Sequence, residues 1–407
     1  MSSSSEVLID AASAPQMSAV VDKRIIVDQP QVERVLGELM CAYEADAYPY
    51  NLDTTRVPQD HRHLPENLEI GSVDHASYLF YLCCYMRGGI KSVDAAKRVG
   101  DIYVTEPALF VAEKARLVAA EHIAEVLSQH GLGFQQRVSK QWVENSQRLA
   151  ERYGSNPINI FEGVSDYETA LARVKNDKTG GGFIGFQEKM VSMLLYYLMD
   201  EKMIEYFDFP LPVDLHVLRI TIANNLLQFE GYDPEENLLT DELRIIARRL
   251  YHQYAVEKGI NTIKLCNALW LLSESLCGQQ AGNITLEPEG RKKRKGRKTL
   301  LVPQPIIPSS KQQRAAYQKS CGMCPVESTC QWNVPGKSLY VHGGLGRRGE
   351  RPKVLAADLE EAEFPIKVIR IQDVSDGTSL RVRQPKVAKP KLSEAELPIS
   401  DWAPSNF

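Results

Sequence analysis

The sequence predicts an all-α fold that is followed by a short C-terminal extension with a β-hairpin. Two observations support this fold class. Apolar residues recur at three- and four-residue spacing over most of residues 28–277, and Gly131 and Gly154 stand where helices commonly stop. Before residue 360 no comparable alternation of polar and apolar residues occurs, so no β-sheet is expected there.

The periodic stretches place the helices in chain order. The first helix has one apolar face, formed by Val32, Val35, Leu36, Leu39, Met40 and Tyr43. Further helices are predicted at about 73–87, from 92 onward, and at 105–130, 139–153, 188–199, 214–229, 241–257 and 261–276. The basic, proline-containing segment 284–312 is predicted to form an exposed loop, and segments 365–371 and 378–383 the two strands of the hairpin.

Composition limits the class of protein. Of the 407 residues, 43% are hydrophobic and 25% are charged, which excludes wholesale disorder. A net charge of −4 argues against a protein that coats nucleic acid over its whole surface, although it allows one basic face. No apolar run approaches the roughly 20 residues of a membrane span, and the MSSSS start is unlike a secretory signal. We therefore expect a soluble cytoplasmic monomer with reduced cysteines, nucleoid-associated in a bacterium.

Three cysteines form a C-x2-C-x5-C pattern: Cys321, Cys324 and Cys330. Loops this short bring the sulfurs back toward one point, which predicts a metal centre. Cys277, at the end of an apolar helix, is the best candidate for a fourth ligand, and Cys266 is its rival. Zinc stays open as the metal, but zinc ribbons usually pair two C-x2-C hooks and this chain has one.

A glycine-rich segment, residues 180–189, precedes a predicted helix and ends at Lys189. Glycines at a helix start let backbone N–H groups approach a phosphate, so Gly182 and Gly185 are candidate nucleic-acid contacts. Asp214 follows 25 residues after Lys189 and directly precedes an apolar periodic stretch. This position predicts a helix N-cap, whose carboxylate is held by backbone hydrogen bonds and is compatible with a catalytic role.

Together these motifs resemble the endonuclease III branch of the helix-hairpin-helix DNA glycosylases, over roughly residues 70–332. In the family's hairpin pattern, Gly185 takes the place of the first glycine, Gln187 that of the second and Lys189 that of the lysine. Residues Val213–Arg219 match the family's Val-Asp-x-His-x-x-Arg motif. The three clustered cysteines have the spacing of its iron–sulfur loop, whereas the 43 residues that precede them after Cys277 are a longer connection than the family has.

The resemblance implies a two-domain helix-hairpin-helix fold with double-stranded DNA as partner. The implied segments are a disordered tail (1–27), an N-terminal helix that packs with the cluster domain (28–69), a helical barrel domain (70–213), a cluster domain with a basic insertion at 284–312 (214–334), and the extension (335–407). A [4Fe-4S] cluster is implied on Cys277, Cys321, Cys324 and Cys330.

The implied activity is that of a DNA glycosylase with abasic-site lyase activity, which excises a damaged or modified base after flipping its nucleotide. Asp214 would stabilise the charge that develops on the sugar, and Lys189 would attack C1′ as a neutral amine. The implied DNA contacts are Gly182, Gly185, Gln187, Arg87, Arg291, Lys292, Lys293, Arg294 and Lys295.

Two other functions stay open on this sequence. One is an N-glycohydrolase that acts on RNA or on a modified nucleoside. The other is a non-catalytic DNA-binding module that retains the hairpin and the cluster. No motif identifies the base that is recognised or distinguishes repair from defence against foreign DNA.

Overall fold

The computed structural model describes residues 24–333, apart from 54, 87–90, 177–180, 231–240, 278–280, 287–297, 304–310 and 332, and four short strands after residue 337. This part of the chain is mostly helical, as the sequence predicts. Its helices are α1 (Gln29–Glu44), α2 (Val73–Tyr85), α3 (Ser92–Thr105), α4 (Ala112–Ala115), α5 (Ala120–Gln129), α6 (Gln135–Tyr153), α7 (Tyr167–Val174), α8 (Glu188–Asp200), α9 (Leu215–Ala223), α10 (Asp241–Lys258), α11 (Thr262–Leu272) and α12 (Lys311–Gly322). A π-helical turn, Ser273–Cys277, continues α11.

The segment 105–130 is predicted as one helix, and this is wrong. Pro107 begins a 3₁₀ turn, and Val111 has the extended backbone angles φ −100° and ψ 108°, so the helical path is interrupted before α4. The interruption leaves the carbonyl oxygen of Leu109 available, and the indole N–H of Trp142 donates to it at 2.8 Å. This is a tertiary contact with α6, and the spacing of apolar residues within segment 105–130 does not predict it.

The helix predicted at 214–229 ends at Ala223. Asn224 is its C-cap, and Asn225 has a positive φ of 53°, which turns the chain into strand β2 (Leu227–Glu230). β2 pairs antiparallel with β1 (Arg24–Val27). The expectation of no sheet before residue 360 is therefore wrong, because a two-stranded ribbon of four-residue strands is too short to give an alternating pattern.

Three further antiparallel ribbons follow in the chain. β3 (Ala281–Leu286) pairs with β4 (Lys298–Pro303), so part of the segment 284–312 predicted as a loop is strand. β5 (Ser338–His342) pairs with β6 (Val354–Asp358). β7 (Ile369–Arg370) pairs with β8 (Arg381–Val382), within the hairpin that the sequence predicts.

The described residues share one apolar core, and α2 runs through it. Every residue of α2 from His75 to Tyr85 is buried. The ring of Phe80 contacts those of Phe183 and Phe186, at centroid distances of 5.0 and 5.5 Å. The segment between α7 and α8 is thus anchored in the core by two aromatic side chains, and this anchoring positions the candidate site.

Candidate nucleic-acid and catalytic site

The hairpin between α7 and α8 is closed at its base by backbone contacts. Phe183 donates its backbone N–H to the carbonyl oxygen of Val174 at 3.0 Å. Gly182 has a φ of +61°, and a Cβ at this residue would lie 2.1 Å from the carbonyl oxygen of Lys175. Gly182 is buried. Only glycine permits this approach, so Gly182 serves the packing of the hairpin on α7.

Helix α6 holds the hairpin from another side. The side-chain amide of Asn145 donates to the carbonyl oxygen of Ile184 at 3.0 Å and accepts from its N–H at 2.7 Å. Arg148 donates to the carbonyl oxygens of Gly181 and Gly182, at 3.3 and 2.9 Å. Neither Asn145 nor Arg148 belongs to a motif, so the sequence alone does not reveal them as supports of the site.

Gly185 and Gln187 come directly after the hairpin residues that α6 contacts. Gly185 has a φ of +89°, and its amide has no acceptor among the residues that the structure describes. Gln187 is exposed and is the N-cap residue of α8. The N–H groups of a first helical turn lack intrahelical acceptors and favour an anion. Hairpin and helix start thus offer the kind of backbone donors that bind a phosphate.

Lys189 is the second residue of α8 and its side chain is exposed. The neighbouring carboxylate of Glu188 is engaged elsewhere: it pairs with Lys175 at 2.9 Å and with Arg248 of α10 at 3.4 Å. The hydrogen bond from Lys175 is the main cause that lowers the pKa of Glu188, and the charge of Arg248 adds to it. Two cations therefore balance the acidic residue at this helix start.

Asp214 is the N-cap of α9, as the sequence predicts. Its Oδ1 accepts from the backbone N–H groups of His216 and Val217, at 2.8 and 3.1 Å. The residue is half-buried. The two hydrogen bonds hold the Asp214 carboxylate in one position at the helix start.

Two buried side chains are affected by the charges of both Lys189 and Asp214. Burial raises the pKa of the Cys266 thiol, the Asp214 carboxylate raises it further, and the charge of Lys189 opposes this. Burial lowers the pKa of His216 to about 4, opposed by Asp214 and assisted by Arg219 and Lys189. The charges of the two predicted catalytic residues therefore influence the pKa values of the same buried pair, Cys266 and His216.

The four cysteines predicted as metal ligands line one cavity: Cys277, Cys321, Cys324 and Cys330. Burial raises the pKa of Cys324, and the other three thiols raise it further, which reflects how close the four sulfurs lie. Cys266 belongs to the neighbourhood of Lys189 instead. Within the described residues, no three side chains of the types His, Cys, Asp or Glu converge closely enough to hold a single ion.

Arg219, the last residue of the Val213–Arg219 motif, also lines this cavity and is only 2% exposed. Burial lowers its pKa, and Cys277, Tyr317 and Cys330 oppose that effect. The charge of Arg219 opposes the rise that burial causes in the pKa of the Cys277 thiol, because it offsets negative charge in a region of low dielectric.

The cysteine loop is docked on the C-terminal end of α9. Gln331 donates its backbone N–H to the carbonyl oxygen of Ala223 at 2.7 Å and its side-chain amide to that of Ile222 at 2.9 Å. The hydroxyl of Thr329 donates to Oδ1 of Asn224 at 2.8 Å. One helix therefore has Asp214 at its start and the cysteine loop at its end.

The remaining predicted contacts lie outside the described residues: Arg87, Arg291, Lys292, Lys293, Arg294 and Lys295. Met86, which precedes Arg87, is the C-cap of α2. None of the described helices combines the length and the apolar character needed to cross a bilayer.

Of three comparisons with known proteins, the one with solved structures finds similar chains. No family model and no curated protein matches the chain. Among solved structures, the chain is similar to the 8-oxoguanine glycosylase/lyase of Methanocaldococcus jannaschii in complex with a 15mer DNA containing 8-oxoguanine. The TM-score is 0.38 and the identity 16%, over 59% of this chain and 96% of that chain. This likeness concerns the course of the backbone and assigns no role to any residue.

Proposed function

We propose that this protein is a DNA glycosylase with abasic-site lyase activity, in which Lys189 is the nucleophile and Asp214 the carboxylate beside the reacting sugar. One observation carries the proposal: Lys189 and Asp214 stand at the starts of two helices and both act on the buried pair Cys266 and His216. An exposed amine and a position-fixed carboxylate are the two groups that attack on a sugar carbon requires.

The hairpin supports a nucleic acid as the ligand. The Gly185 amide and the first turn of α8 can donate to a backbone phosphate, directly before Lys189 in the chain. A phosphate bound there would place the neighbouring sugar near the amine. Because a base inside a duplex cannot expose its glycosidic bond, the nucleotide would have to be flipped out.

The chemistry follows from these groups. Once deprotonated, the amine of Lys189 donates its electron pair to C1′, the C1′–N bond breaks, and the base leaves with the bonding pair and the first proton that the amine gives up. The C1′–O4′ bond then breaks as the nitrogen forms a double bond to C1′, and O4′ takes up the second amine proton, which gives an open-chain Schiff base. Removal of a C2′ proton then expels the 3′ phosphate by β-elimination.

Asp214 is suited to an electrostatic role in this sequence. Its ionised carboxylate stabilises the positive charge that develops on the sugar as the glycosidic bond weakens. His216 is neutral at physiological pH, since burial lowers its pKa to about 4. The imidazole therefore adds no competing positive charge next to Asp214.

The four-cysteine cavity fits a [4Fe-4S] cluster by its donors: four thiols around one space, with a buried arginine to offset negative charge. Cys277, Cys321, Cys324 and Cys330 would hold it, and Cys266 would not. When bound, the cluster would contribute folding energy and fix the loop on α9. Zinc is the alternative metal on these thiols, and a single ion would require the sulfurs to move closer together, since no three metal-binding side chains among the described residues converge on one point.

Two other functions share parts of this site. An N-glycohydrolase for RNA or a modified nucleoside would use the same lysine and aspartate without a duplex. A non-catalytic DNA-binding module would use the hairpin alone. The lysine-aspartate neighbourhood favours catalysis over binding alone, and the hairpin donors favour a nucleic-acid strand over a free nucleoside.

The test is borohydride trapping on a duplex with one abasic site. We expect a covalent complex with the wild type and with Lys114→Ala, an exposed lysine of α4 that serves as control, and none with Lys189→Ala. Absence of a complex from wild-type protein that binds the duplex would overturn the lyase function. Salt-sensitive duplex binding without any trapping or base excision would favour the binding module.

A further inference from the structure

A cavity of about 560 Å³ lies between α1, the residues that follow α1 and the helix α11. None of the residues assigned to the candidate site lines it. Pockets that hold small molecules span roughly 300–1,000 Å³, so the volume suits a ligand of that class. The lining includes two tyrosines and charged side chains of both signs, which indicates a ligand that is itself partly flat and partly charged.

The two tyrosines of the cavity, Tyr43 and Tyr50, are held in place by α11. Their rings meet edge to face, with centroids 5.1 Å apart and an interplanar angle of 87°. The hydroxyl of Tyr50 donates to the carbonyl oxygen of Ala268 at 2.9 Å. The side-chain amide of Asn267 donates to the hydroxyl of Tyr43 at 3.5 Å. Tyr50 is buried, whereas Tyr43 is half-buried, so Tyr43 gives the cavity an aromatic surface of fixed orientation.

Positive charge in the cavity exceeds what its paired carboxylates neutralise locally. Arg62 and Arg56 share the single carboxylate of Asp60, with their Nε atoms at 3.1 and 3.6 Å from its oxygens. The Nη groups of Arg62 have no acceptor among the described residues, and this side chain is 57% exposed. Nζ of Lys264 lies 3.7 Å from Oε1 of Glu44, which is too far for a hydrogen bond. A guanidinium and an ammonium group are therefore available to an anion.

The opposite charge is offered by Asp46, which also lines the cavity. Its side chain is exposed and makes no hydrogen bond or ion pair with the residues that the structure describes. Thr55, another lining residue, is 2% exposed, and its hydroxyl has no hydrogen-bond partner within the described part of the chain. Buried polar groups in proteins are normally paired. The cavity thus combines a cationic region, a carboxylate and an aromatic surface.

We propose that this cavity binds a free nucleoside 5′-monophosphate, with the phosphate on Arg62 and Lys264, the base against Tyr43, and an amino group of the base on the carboxylate of Asp46. Guanidinium and ammonium groups are the usual partners of phosphate. Aromatic side chains hold bases by their π-faces, and carboxylates accept from the 4-amino group of cytosine. An aliphatic amino acid also carries both charges, but it has no flat ring and fills less of the cavity. The inference does not depend on the proposed glycosylase function.

The experiment is isothermal titration calorimetry of the full chain with cytidine 5′-monophosphate. Uridine 5′-monophosphate is the matched ligand, because it carries an oxygen in place of the 4-amino group, and cytidine is the ligand without phosphate. Leucine tests for an amino-acid site. A 5′-phosphorylated single-stranded hexamer that begins with cytosine is the last ligand, because a strand end carries the same chemical groups.

We expect the cytidine nucleotide to bind roughly 10-fold more tightly than the uridine nucleotide and than cytidine, since each comparison removes a hydrogen bond to a charged group. Arg62→Ala and Lys264→Ala should each weaken its binding by roughly 5- to 10-fold, because both side chains are partly exposed. Asp46→Asn keeps a residue that tolerates the positive φ of 47°. Its amide can donate as well as accept, so this variant should bind the cytidine and uridine nucleotides with similar affinity. Arg116→Ala is the control, because Arg116 pairs with Glu113 outside the cavity.

Four results would overturn the inference. They are the absence of saturable binding at millimolar nucleotide, equal affinities for the nucleotide and cytidine, binding of leucine alone, and tighter binding of the hexamer through the same residues, which would make a strand end the ligand. Nucleotide binding that persists in folded Arg62→Ala and Lys264→Ala but is lost in Lys189→Ala would place the nucleotide at the candidate catalytic site and would also overturn it. Borohydride trapping on an abasic duplex reports on the lyase function separately, so either proposal can fail while the other holds.

Discussion

Asn145 holds the backbone of Ile184 through two hydrogen bonds, accepting from its N–H at 2.7 Å and donating to its carbonyl oxygen at 3.0 Å. The two residues are 39 positions apart in the chain. The side-chain amide thus pairs with the hairpin as a neighbouring strand would. Because Gly185 follows directly, this pairing fixes the part of the hairpin proposed to bind a phosphate.

Asn145→Ala should therefore weaken both the fold and duplex binding. The substitution leaves the half-buried N–H of Ile184 without its partner, which costs about 1 kcal/mol. Ser146→Ala is the control, because Ser146 is also buried in α6 but bonds to Tyr81 in the core at 2.7 Å. Urea unfolding should show both variants to be destabilised, and fluorescence anisotropy should show weaker duplex binding for Asn145→Ala alone. Equal affinities of the two folded variants would contradict the positioning role.

His75 should make the stability of the protein depend on pH. It is fully buried in α2, and its Nδ1 accepts from the backbone N–H of Gly71 at 3.2 Å. Protonation would break that bond and bury a charge, so burial, with a smaller effect of His61, lowers the pKa of His75 to about 4.

The unfolded chain binds this proton near pH 6.5, and the folded chain binds it only near pH 4. The contribution of neutral His75 to the free energy of unfolding is therefore fully present above pH 6.5 and is lost as the pH falls toward 4. Between pH 7 and pH 5 the loss from His75 should be about 2 kcal/mol. His75→Asn keeps an acceptor for Gly71 and does not titrate. In urea unfolding, the variant should lose less stability than wild type over this pH range, and identical pH profiles would contradict the assignment.

The sequence predicts most helices well, because each buries a periodic apolar face. α1 buries Val32, Val35, Leu36, Leu39 and Met40 as that periodicity requires. The errors lie at turns and pairings that the spacing of apolar residues does not show. Segment 105–130 is interrupted where Trp142 bonds to Leu109, and the strand after α9 exists because a distant segment, Arg24–Val27, pairs with it.

The residues of the candidate site also form two groups, those that the sequence marks and those that only the fold reveals. Lys189, Asp214 and the four cysteines stand out because motif spacing marks them. Asn145 and Arg148 do not, since an asparagine and an arginine inside a helix are ordinary in sequence. Only the fold brings them against the hairpin.

Cys277 and Cys266 should differ in their effect on the metal content. Cys277 lines the cavity with the three clustered cysteines, whereas Cys266 lies near Lys189. Cys277→Ala should lower the iron per chain and the visible absorbance of protein purified without oxygen, and Cys266→Ala should leave both at the wild-type level. Zinc in place of iron in the wild type would identify the alternative metal, and loss of metal in Cys266→Ala alone would exchange the two assignments.

Asp214→Asn should separate the structural from the catalytic role of this carboxylate. Asparagine caps a helix about as well as aspartate, so its Oδ1 can still accept from His216 and Val217 and the stability should change by only a few tenths of a kcal/mol. The negative charge that stabilises the sugar cation is lost, so single-turnover base excision should fall on the order of 100-fold or more. Asp166→Asn is a control, because Asp166 is also a helix N-cap, at the start of α7, and its Oδ1 accepts from the N–H of Thr169 at 2.8 Å. If both variants keep wild-type excision, or if Asp214→Asn loses its activity together with its fold, Asp214 acts only as a cap.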